Sequence, residues 1–153
     1  MAQGTGTLMR VVVVNGPNLN LLGSREPSLY GTTTLADIEA MVRASASELG
    51  VVVEFEQSNH EGALVDVVQG LRQRCDAAIV NLGGYTHTSV ALRDAFLASP
   101  IRFIEVHLTN LFAREEVRHR SMTADLAIGV ITGLGPQGYL LALQALVTAP
   151  RDG

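Results

Sequence analysis

Short apolar runs recur along the chain, and each has the length of a β-strand. The four valines at residues 11–14 form a continuous β-branched run, which is typical of a strand that is buried on both faces. Four later runs share this apolar character. The pattern predicts strands at residues 11–14, 51–55, 77–80, 101–106 and 126–131.

Between these runs, apolar positions recur at the spacing of an α-helix. The first such stretch, Leu35–Leu49, follows Thr34 as a predicted N-cap and ends at Gly50. Further helices are predicted at residues 63–74, 89–98 and 139–147. Strands that alternate with helices predict parallel pairing through right-handed crossovers.

The fold predicted from this alternation is an α/β, flavodoxin-like, doubly wound sheet of five parallel strands in three layers. The strand order 2-1-3-4-5 fits five strands best. In such sheets ligands bind beyond the carboxyl ends of the strands, where the winding direction changes. We therefore expect the loops that follow the first, third and fourth strands to lie close together.

The length of 153 residues and an apolar content of 47% are those of one domain with a sizeable core. We predict a tail at residues 1–8, a single catalytic domain at 9–148 and a second tail at 149–153. A formal net charge of -4 argues against general affinity for nucleic acid or for an anionic membrane. No apolar run approaches the roughly 20 residues that span a bilayer.

Cysteine and lysine usage narrow the chemistry. Cys75 is the single cysteine, so an intrachain disulfide is excluded, and the N-terminal residues do not resemble a signal peptide. We therefore expect a cytoplasmic protein. The chain has no lysine at all, which excludes both a Schiff-base lysine and the lysine of a phosphate-binding P-loop.

Polar side chains are concentrated in the loops that should meet at one edge of the sheet. Residues 15–31 follow the first strand and include several carboxamides, an arginine and a tyrosine. Residues 81–89 follow the third strand, and residues 107–120 follow the fourth. Together these loops supply histidines, arginines and asparagines, which suit an anionic ligand in a local basic pocket.

These motifs resemble type II 3-dehydroquinate dehydratase over residues 9–147. The resemblance rests on Gly-Pro-Asn-Leu-Asn at 16–20 with Arg25 and Tyr30, on Gln-Ser-Asn-His-Glu-Gly at 57–62, on Gly-Tyr-Thr-His-Thr-Ser at 84–89, and on Glu-Val-His at 105–107 followed by Arg114 and Arg118. It implies elimination of water from 3-dehydroquinate to give 3-dehydroshikimate in the shikimate or quinate pathways, with no metal and no organic cofactor. The lack of lysine leaves only an enolate route, since type I enzymes need a lysine imine.

Removal of a proton beside a ketone needs a base, and a phenol with a pKa near 10 is mostly protonated at neutral pH. A nearby cation lowers the pKa of such an acid by about 1 to 3 units. By resemblance, Tyr30 is the general base, and Arg25, with Arg114 in support, keeps it as the phenolate.

The remaining roles follow from the enolate route and from the family. The enolate oxygen needs a donor, and the resemblance assigns Asn18 acting through an ordered water. His107 suits the general acid, with Glu105 able to orient its imidazole. By resemblance the substrate-binding groups are Asn81, the backbone amides of Leu108 and Thr109, His87, Arg118 and Asp94, the last of these from a neighbouring subunit. The family is usually a dodecamer built from trimers, so a homo-oligomer is expected.

Two alternatives stay open from the residues alone. The sequence Gly133-Leu-Gly-Pro-Gln-Gly138 satisfies a dinucleotide-binding pattern, which raises a flavodoxin-like module that binds a nucleotide or a flavin. The motif opens the last helix rather than the first, however, so close packing of helix on sheet is the better interpretation. A catalytically silent scaffold is the other alternative.

Several polar residues have simpler interpretations. His87 could merely flank a helix that Thr88 caps, and His60 and His119 are interpreted as structural or rim residues. Glu61 favours a helix start, and Cys75 is interpreted as inert packing.

Some positions depart from the family pattern. Leu82 stands where proline is usual and Gly84 where alanine is usual, so the loop of Asn81 is expected to be looser. Thr109 replaces a common serine and Val117 a common phenylalanine.

Overall fold

One parallel sheet organises the chain, in a computed structural model that describes residues 8–24 and 26–149, apart from the side chains of residues 29 and 30. Within that part, the strands follow the order β2-β1-β3-β4-β5. They are β1 Arg10–Asn15, β2 Val52–Gln57, β3 Ala77–Asn81, β4 Phe103–His107 and β5 Gly129–Thr132. The predicted fold class and strand order are confirmed.

Helices cover both faces of the sheet. A single turn, α1 at Pro27–Tyr30, precedes the longer helices α2 Leu35–Leu49, α3 Glu61–Arg74, α4 Val90–Ala98 and α5 Gln137–Thr148. The predicted start and end of α2 are confirmed. Thr34 and Asp37 form a reciprocal capping box, and Gly50 ends the helix in the left-handed region at a φ of 70°.

The alternation of side chains along β1 divides the interior into two cores. Val11 and Val13 face the core that contains residues of α2 and α5, whereas Val12 and Val14 face the core of α3 and α4. Burial of each such side chain contributes about 1.5–3 kcal/mol relative to an exposed one. A strand with apolar residues at every position is therefore what the centre of a three-layer fold requires.

Four strands extend beyond their predicted ends by one polar residue each. The apolar runs ended at residues 14, 80, 106 and 131, whereas the strands continue through Asn15, Asn81, His107 and Thr132. In the sheet, Asn15 pairs with Asn81 in register, and both are buried. Apolar content alone misplaced these ends because buried polar groups remain in a strand when neighbouring side chains satisfy their hydrogen bonds.

Local hydrogen bonds correct two other boundaries. The fifth strand begins at Gly129 rather than at residue 126, because Ala124–Leu126 forms a 3-10 turn. Helix α4 begins at Val90, and Ser89 is its N-cap because the Ser89 hydroxyl accepts a hydrogen bond from the backbone of Leu92 at 2.9 Å. Thr88 is therefore not the cap.

The glycines before α5 serve packing and turn geometry. A Cβ at Gly138 would lie 3.2 Å from Val106 Cγ1 and 3.4 Å from Ile131 Cγ2, so a larger residue would push the helix from the sheet. Gly133 and Gly135 have φ values of 91° and 60°, which glycine adopts without strain. The structure supports the interpretation of this motif as close packing of helix on sheet.

Candidate active site

A pocket opens at the carboxyl edge of the sheet, where the loops after β1, β3 and β4 meet. Polar and charged side chains from all three loops contribute to its wall. The lining residues are Asn18, Leu19, Asn81, Gly83, Gly84, His87, His107, Leu108, Thr109, Leu111, Arg114 and Arg118. The predicted convergence of these loops is confirmed.

The loop after β1 has a constrained backbone. Asn18 adopts a left-handed φ of 68°, and its backbone N–H donates to Asn59 Oδ1 at 2.9 Å. Gln57 Nε2 donates to the same Asn59 oxygen at 3.2 Å and to the Gly16 carbonyl at 3.1 Å. The polar residues at the end of β2 and just after it therefore hold the Asn18 backbone in a conformation that is otherwise disfavoured for a residue other than glycine.

The loops after β1 and β3 touch each other through their backbones. The Gly16 N–H donates to the Asn81 carbonyl at 2.7 Å, and a Cβ at Gly16 would lie only 2.2 Å from the Leu82 carbonyl oxygen. Leu82 itself is buried in the α3 and α4 core. Apolar burial thus anchors the position where the family usually has proline, whereas Gly84 has open space where a Cβ would be.

A buried carboxylate supports the imidazole on β4. Glu105 Oε2 lies 2.8 Å from His107 Nε2, and both side chains are almost fully buried. Glu105 Oε1 accepts hydrogen bonds from Ser121 at 3.0 Å and from Thr123 at 2.6 Å. Burial alone would raise the pKa of Glu105, but the hydrogen bonds from His107, Thr123 and Ser121 bring the pKa below its ordinary value.

This arrangement sets the direction of the bond between Glu105 and His107. An ionised carboxylate can only accept, so Nε2 carries a proton and donates it to Glu105. The other ring nitrogen, Nδ1, is then the one left for a ligand in the pocket. A carboxylate at Nε2 also stabilises positive charge on the ring, which is the form that can donate a proton from Nδ1.

His87 lies beside His107, with ring centroids 6.3 Å apart. His87 Nδ1 is 2.7 Å from the Arg120 carbonyl, which can only accept, so Nδ1 carries the proton. Burial lowers the pKa of His87, and the charges of His107 and Arg118 lower it further. The hydrogen bond to the Arg120 carbonyl raises the pKa but does not outweigh them. A neutral ring with a proton on Nδ1 presents Nε2 as an acceptor, which suits the hydroxyl of a ligand.

Two arginines give the pocket its cationic character. Arg114 Nη1 donates to Thr109 Oγ1 at 3.4 Å, and its side chain is 13% exposed. The Arg118 guanidinium donates to Glu115, and this bond lowers the pKa of the Glu115 carboxyl. His119, interpreted as a rim residue, donates from Nε2 to the Arg114 carbonyl at 2.8 Å and so supports this loop.

The structure brings together most of the residues predicted for the site. Asn18, Asn81, His87, His107, Leu108, Thr109, Arg114 and Arg118 line the pocket, and Glu105 lies behind His107. Asp94 is exposed on α4 and does not line this pocket. Arg25 and the side chain of Tyr30 lie outside the described part of the chain.

Five supporting residues were not among the predicted site residues. Asn59, Ser121, Thr123, Asn15 and Tyr139 all bond to residues of the pocket or to the group behind it. Tyr139 gave one usable signal, because its hydroxyl is in line with apolar residues at helical spacing, Ala142, Leu143 and Leu146, and a buried hydroxyl needs a partner. Ser121 and Thr123 gave none, since they lie in a loop whose path the sequence does not specify.

Other polar residues match their simpler interpretations. His60 is exposed and is the N-cap residue of α3, and Glu61 begins that helix. The Cys75 thiol contacts the Leu71 carbonyl at 3.3 Å, and burial raises its pKa, which disfavours the reactive thiolate.

The described residues contain neither a metal-binding cluster nor a membrane-spanning helix. In residues 8–24 and 26–149, no three His, Cys, Asp or Glu side chains are grouped so as to hold a metal ion. Over the same residues, no helix combines the length and the apolar character needed to cross a bilayer.

Comparisons with known proteins agree with the geometry. Residues 9–147 match the family described as dehydroquinase class II. The chain is 59% identical over 137 residues to a 3-dehydroquinate dehydratase of Chelativorans sp. (strain BNC1), covering 89% of this chain and 94% of that protein. It is 55% identical over 134 residues to catabolic 3-dehydroquinase 1 of Aspergillus terreus, covering 88% of each. The crystal structure of type II dehydroquinase from Butyrivibrio crossotus DSM 2876 matches with a TM-score of 0.89 at 42% identity, covering 92% of this chain and 99% of that one.

Proposed function

The chain belongs to the dehydroquinase class II family, and from this premise we propose that it removes water from 3-dehydroquinate to give 3-dehydroshikimate, in the shikimate or quinate pathways. One observation carries the chemical part of the proposal. A buried carboxylate bonds one nitrogen of an imidazole whose ring lines a pocket with two arginines and two asparagines. Such a ring can donate a proton to a leaving hydroxyl beside an anionic substrate.

The reaction begins with removal of the proton next to the ketone. Tyr30 acts as the base in its phenolate form, and Arg25 and Arg114 supply the positive charge that favours that form. The electrons of the broken C–H bond move into the enolate. Asn18 stabilises the enolate oxygen through an ordered water. Support for Tyr30 and Arg25 comes from their motif in the sequence, and support for Asn18 and Arg114 comes from their place in the pocket wall.

The second step expels the hydroxyl. His107 donates the proton on Nδ1 to the leaving oxygen, the enolate collapses to form the carbon–carbon double bond, and water departs. Glu105 acts through His107 as a positioning residue, because it fixes the ring and stabilises its positive charge. The hydroxyls of Ser121 and Thr123 keep the Glu105 carboxylate in place.

The same pocket binds the rest of the substrate. In this proposal the substrate carboxylate is held by Asn81 and by the backbone amides of Leu108 and Thr109. The ring hydroxyls bond to His87, through its acceptor nitrogen, and to Arg118. The position of these groups on one pocket wall supports the assignment. Neither the acid nor the base requires a cofactor.

A homo-oligomer, a dodecamer built from trimers, is part of the same proposal. Strand β5 is at the edge of the sheet, and Val130 on this strand is 45% exposed. A partner subunit would protect such an edge. Val90 and Leu97 on α4 are also more than half exposed, and Asp94 lies between them in sequence. A subunit packed on α4 would allow Asp94 to reach its neighbour's pocket.

A cytoplasmic location is also part of the proposal, and it is supported by the single cysteine and by the metabolic role.

The test is direct observation of the product. The purified protein is mixed with 3-dehydroquinate, and the absorbance of the conjugated enone is followed with and without chelator. A further sample uses protein that was first treated with substrate and borohydride and then freed of both. We expect the absorbance to rise in all cases. The variant His107→Gln should lower turnover by about 10²- to 10⁴-fold, as loss of a general acid does. The matched variant His60→Gln changes an exposed imidazole and should retain full turnover.

Two outcomes would overturn the proposal. One is the absence of enone formation by a folded protein. The other is purification of the protein with a bound flavin or nucleotide and without dehydratase activity, which would favour the binding module instead.

A further inference from the structure

Three buried polar side chains form a hydrogen-bonded row behind the pocket. Asn15 ends β1, Asn81 ends β3, and Tyr139 lies in α5, with exposed fractions of 1%, 3% and 0%. Tyr139 Oη is 2.9 Å from Asn81 Nδ2 and 2.6 Å from Asn15 Oδ1. Of the three, Asn81 alone also lines the pocket.

The direction of each bond follows from one fixed point. The Gly83 backbone N–H, which can only donate, lies 3.2 Å from Asn81 Oδ1, so this side of the Asn81 amide is the oxygen. The nitrogen therefore faces Tyr139 and donates to its hydroxyl. The hydroxyl in turn donates to Asn15 Oδ1. A flipped Asn81 amide would place its NH₂ group against the Gly83 N–H, and its oxygen would face a Tyr139 hydroxyl whose hydrogen is already donated to Asn15.

The chemistry of Tyr139 suits this task. Burial raises the pKa of its phenol above the ordinary value, so the hydroxyl stays protonated and both donates and accepts. An amide nitrogen has two hydrogens in fixed planar geometry, and Tyr139 accepts only one of them. The second Asn81 N–H is left as a donor for a ligand.

From this geometry we propose that Tyr139 is a positioning residue for substrate binding, which orients the Asn81 amide so that its free N–H meets the substrate carboxylate. The proposal rests on the role of Asn81 given under Proposed function. Tyr139 touches no substrate atom. Its effect passes through Asn81 alone, and this separates the proposal from a general contribution of α5 to stability.

The experiment compares Tyr139→Phe, Asn81→Ala and the double variant in the dehydration assay. Loss of a contact that is equal in the ground state and the transition state raises KM and leaves kcat unchanged. We expect Tyr139→Phe to raise KM by about tenfold with little change in kcat, as a misplaced donor to a charged group would do. In the Asn81→Ala background, the same substitution should add no further increase.

A pair of competitive inhibitors, one with and one without the carboxylate, sharpens the test. Tyr139→Phe should weaken the first and leave the second unchanged. Leu146→Ala is the control, because Leu146 is buried on the same helix and its loss lowers stability without touching the row. If Tyr139→Phe does not fold, Asn15→Leu takes its place. This variant removes Asn15 Oδ1, the acceptor of the Tyr139 hydroxyl, and also Asn15 Nδ2, a buried donor that has no partner among the described residues. It should raise KM in the same way, to a smaller extent.

The proposal is overturned if folded Tyr139→Phe has an unchanged KM. It is also overturned if the increase in KM in the double variant equals the product of the increases in Tyr139→Phe and Asn81→Ala. Equal weakening of both inhibitors would overturn it as well. If the unaltered protein fails to dehydrate 3-dehydroquinate, it is the proposed function that fails, so the two failures are distinguishable.

Discussion

The substitution Glu105→Gln tests the proton donor without changing the shape of the site. Ser121 Oγ accepts backbone N–H groups from Thr123 at 3.1 Å and Ala124 at 3.0 Å, so its own hydrogen is committed to Glu105 Oε1. A glutamine must keep its oxygen at that place. Its NH₂ group then faces His107 Nε2, which was formerly a donor.

This reversal has a calculable cost. In the variant, His107 Nε2 must accept a hydrogen bond from the glutamine. Protonation of the ring would then place the Nε2–H against the glutamine NH₂, whereas in the unaltered protein it makes a charge-assisted bond of 2.8 Å to Glu105. Such a bond contributes about 1.5–3 kcal/mol to stability. If that amount is lost from the imidazolium, kcat falls by about 10- to 150-fold, since each 1.36 kcal/mol is tenfold in rate.

The assay is steady-state dehydration of 3-dehydroquinate. In Glu105→Gln we expect this fall in kcat. Glu54→Gln is the matched control, because Glu54 on β2 forms partly exposed ion pairs with Arg10 of β1 and Arg74 of α3 and does not line the pocket. A folded Glu105→Gln protein with wild-type kcat would refute the reasoning.

Three further predictions address the base, the pH response and a helix cap. Tyr30→Phe should lower turnover by at least about 100-fold while the assembled size stays the same in gel filtration, because the base is lost; undiminished turnover would exclude Tyr30 as the base. Burial lowers the pKa of His87, so the neutral ring is favoured in the folded protein. The stability that this ring contributes is fully present above the ordinary pKa of 6.5 and is lost as the pH falls through the lowered pKa. His87→Gln should therefore lose less melting temperature than the unaltered protein between about pH 7 and pH 5 at one protein concentration, and an equal loss would contradict this. Thr34→Ala removes a capping box and should lower the free energy of unfolding by about 1 kcal/mol, measured by denaturant titration, with no change in turnover.

The order of the elements could be read from the sequence because one physical rule governs each of them. Apolar runs such as 11–14 need burial on both faces. The Thr34 cap satisfies free backbone N–H groups at the start of α2 through contacts within four residues. The meeting of the three loops followed from the parallel sheet. These features depend on neighbours in the sequence or on topology.

The hydrogen-bond partners of the site could not be read in the same way. The pairing of Glu105 with Thr123 and of Asn18 with Asn59 depends on loop paths that no periodic pattern encodes. The strand ends at Asn15 and Asn81 were missed for a related reason. Their polarity indicated a loop, whereas a tyrosine from the last helix keeps them inside the sheet.

The bond between Asn15 and Tyr139 joins residues that are 124 positions apart. During synthesis the first emerges from the ribosome long before the second, so the strands can pair while the final helix is still missing. The amide that faces the ligand would acquire its orientation only when α5 docks. Substrate affinity would then mature late, and a nascent chain could hold most of its sheet and yet remain a poor binder until α5 has been made and has docked.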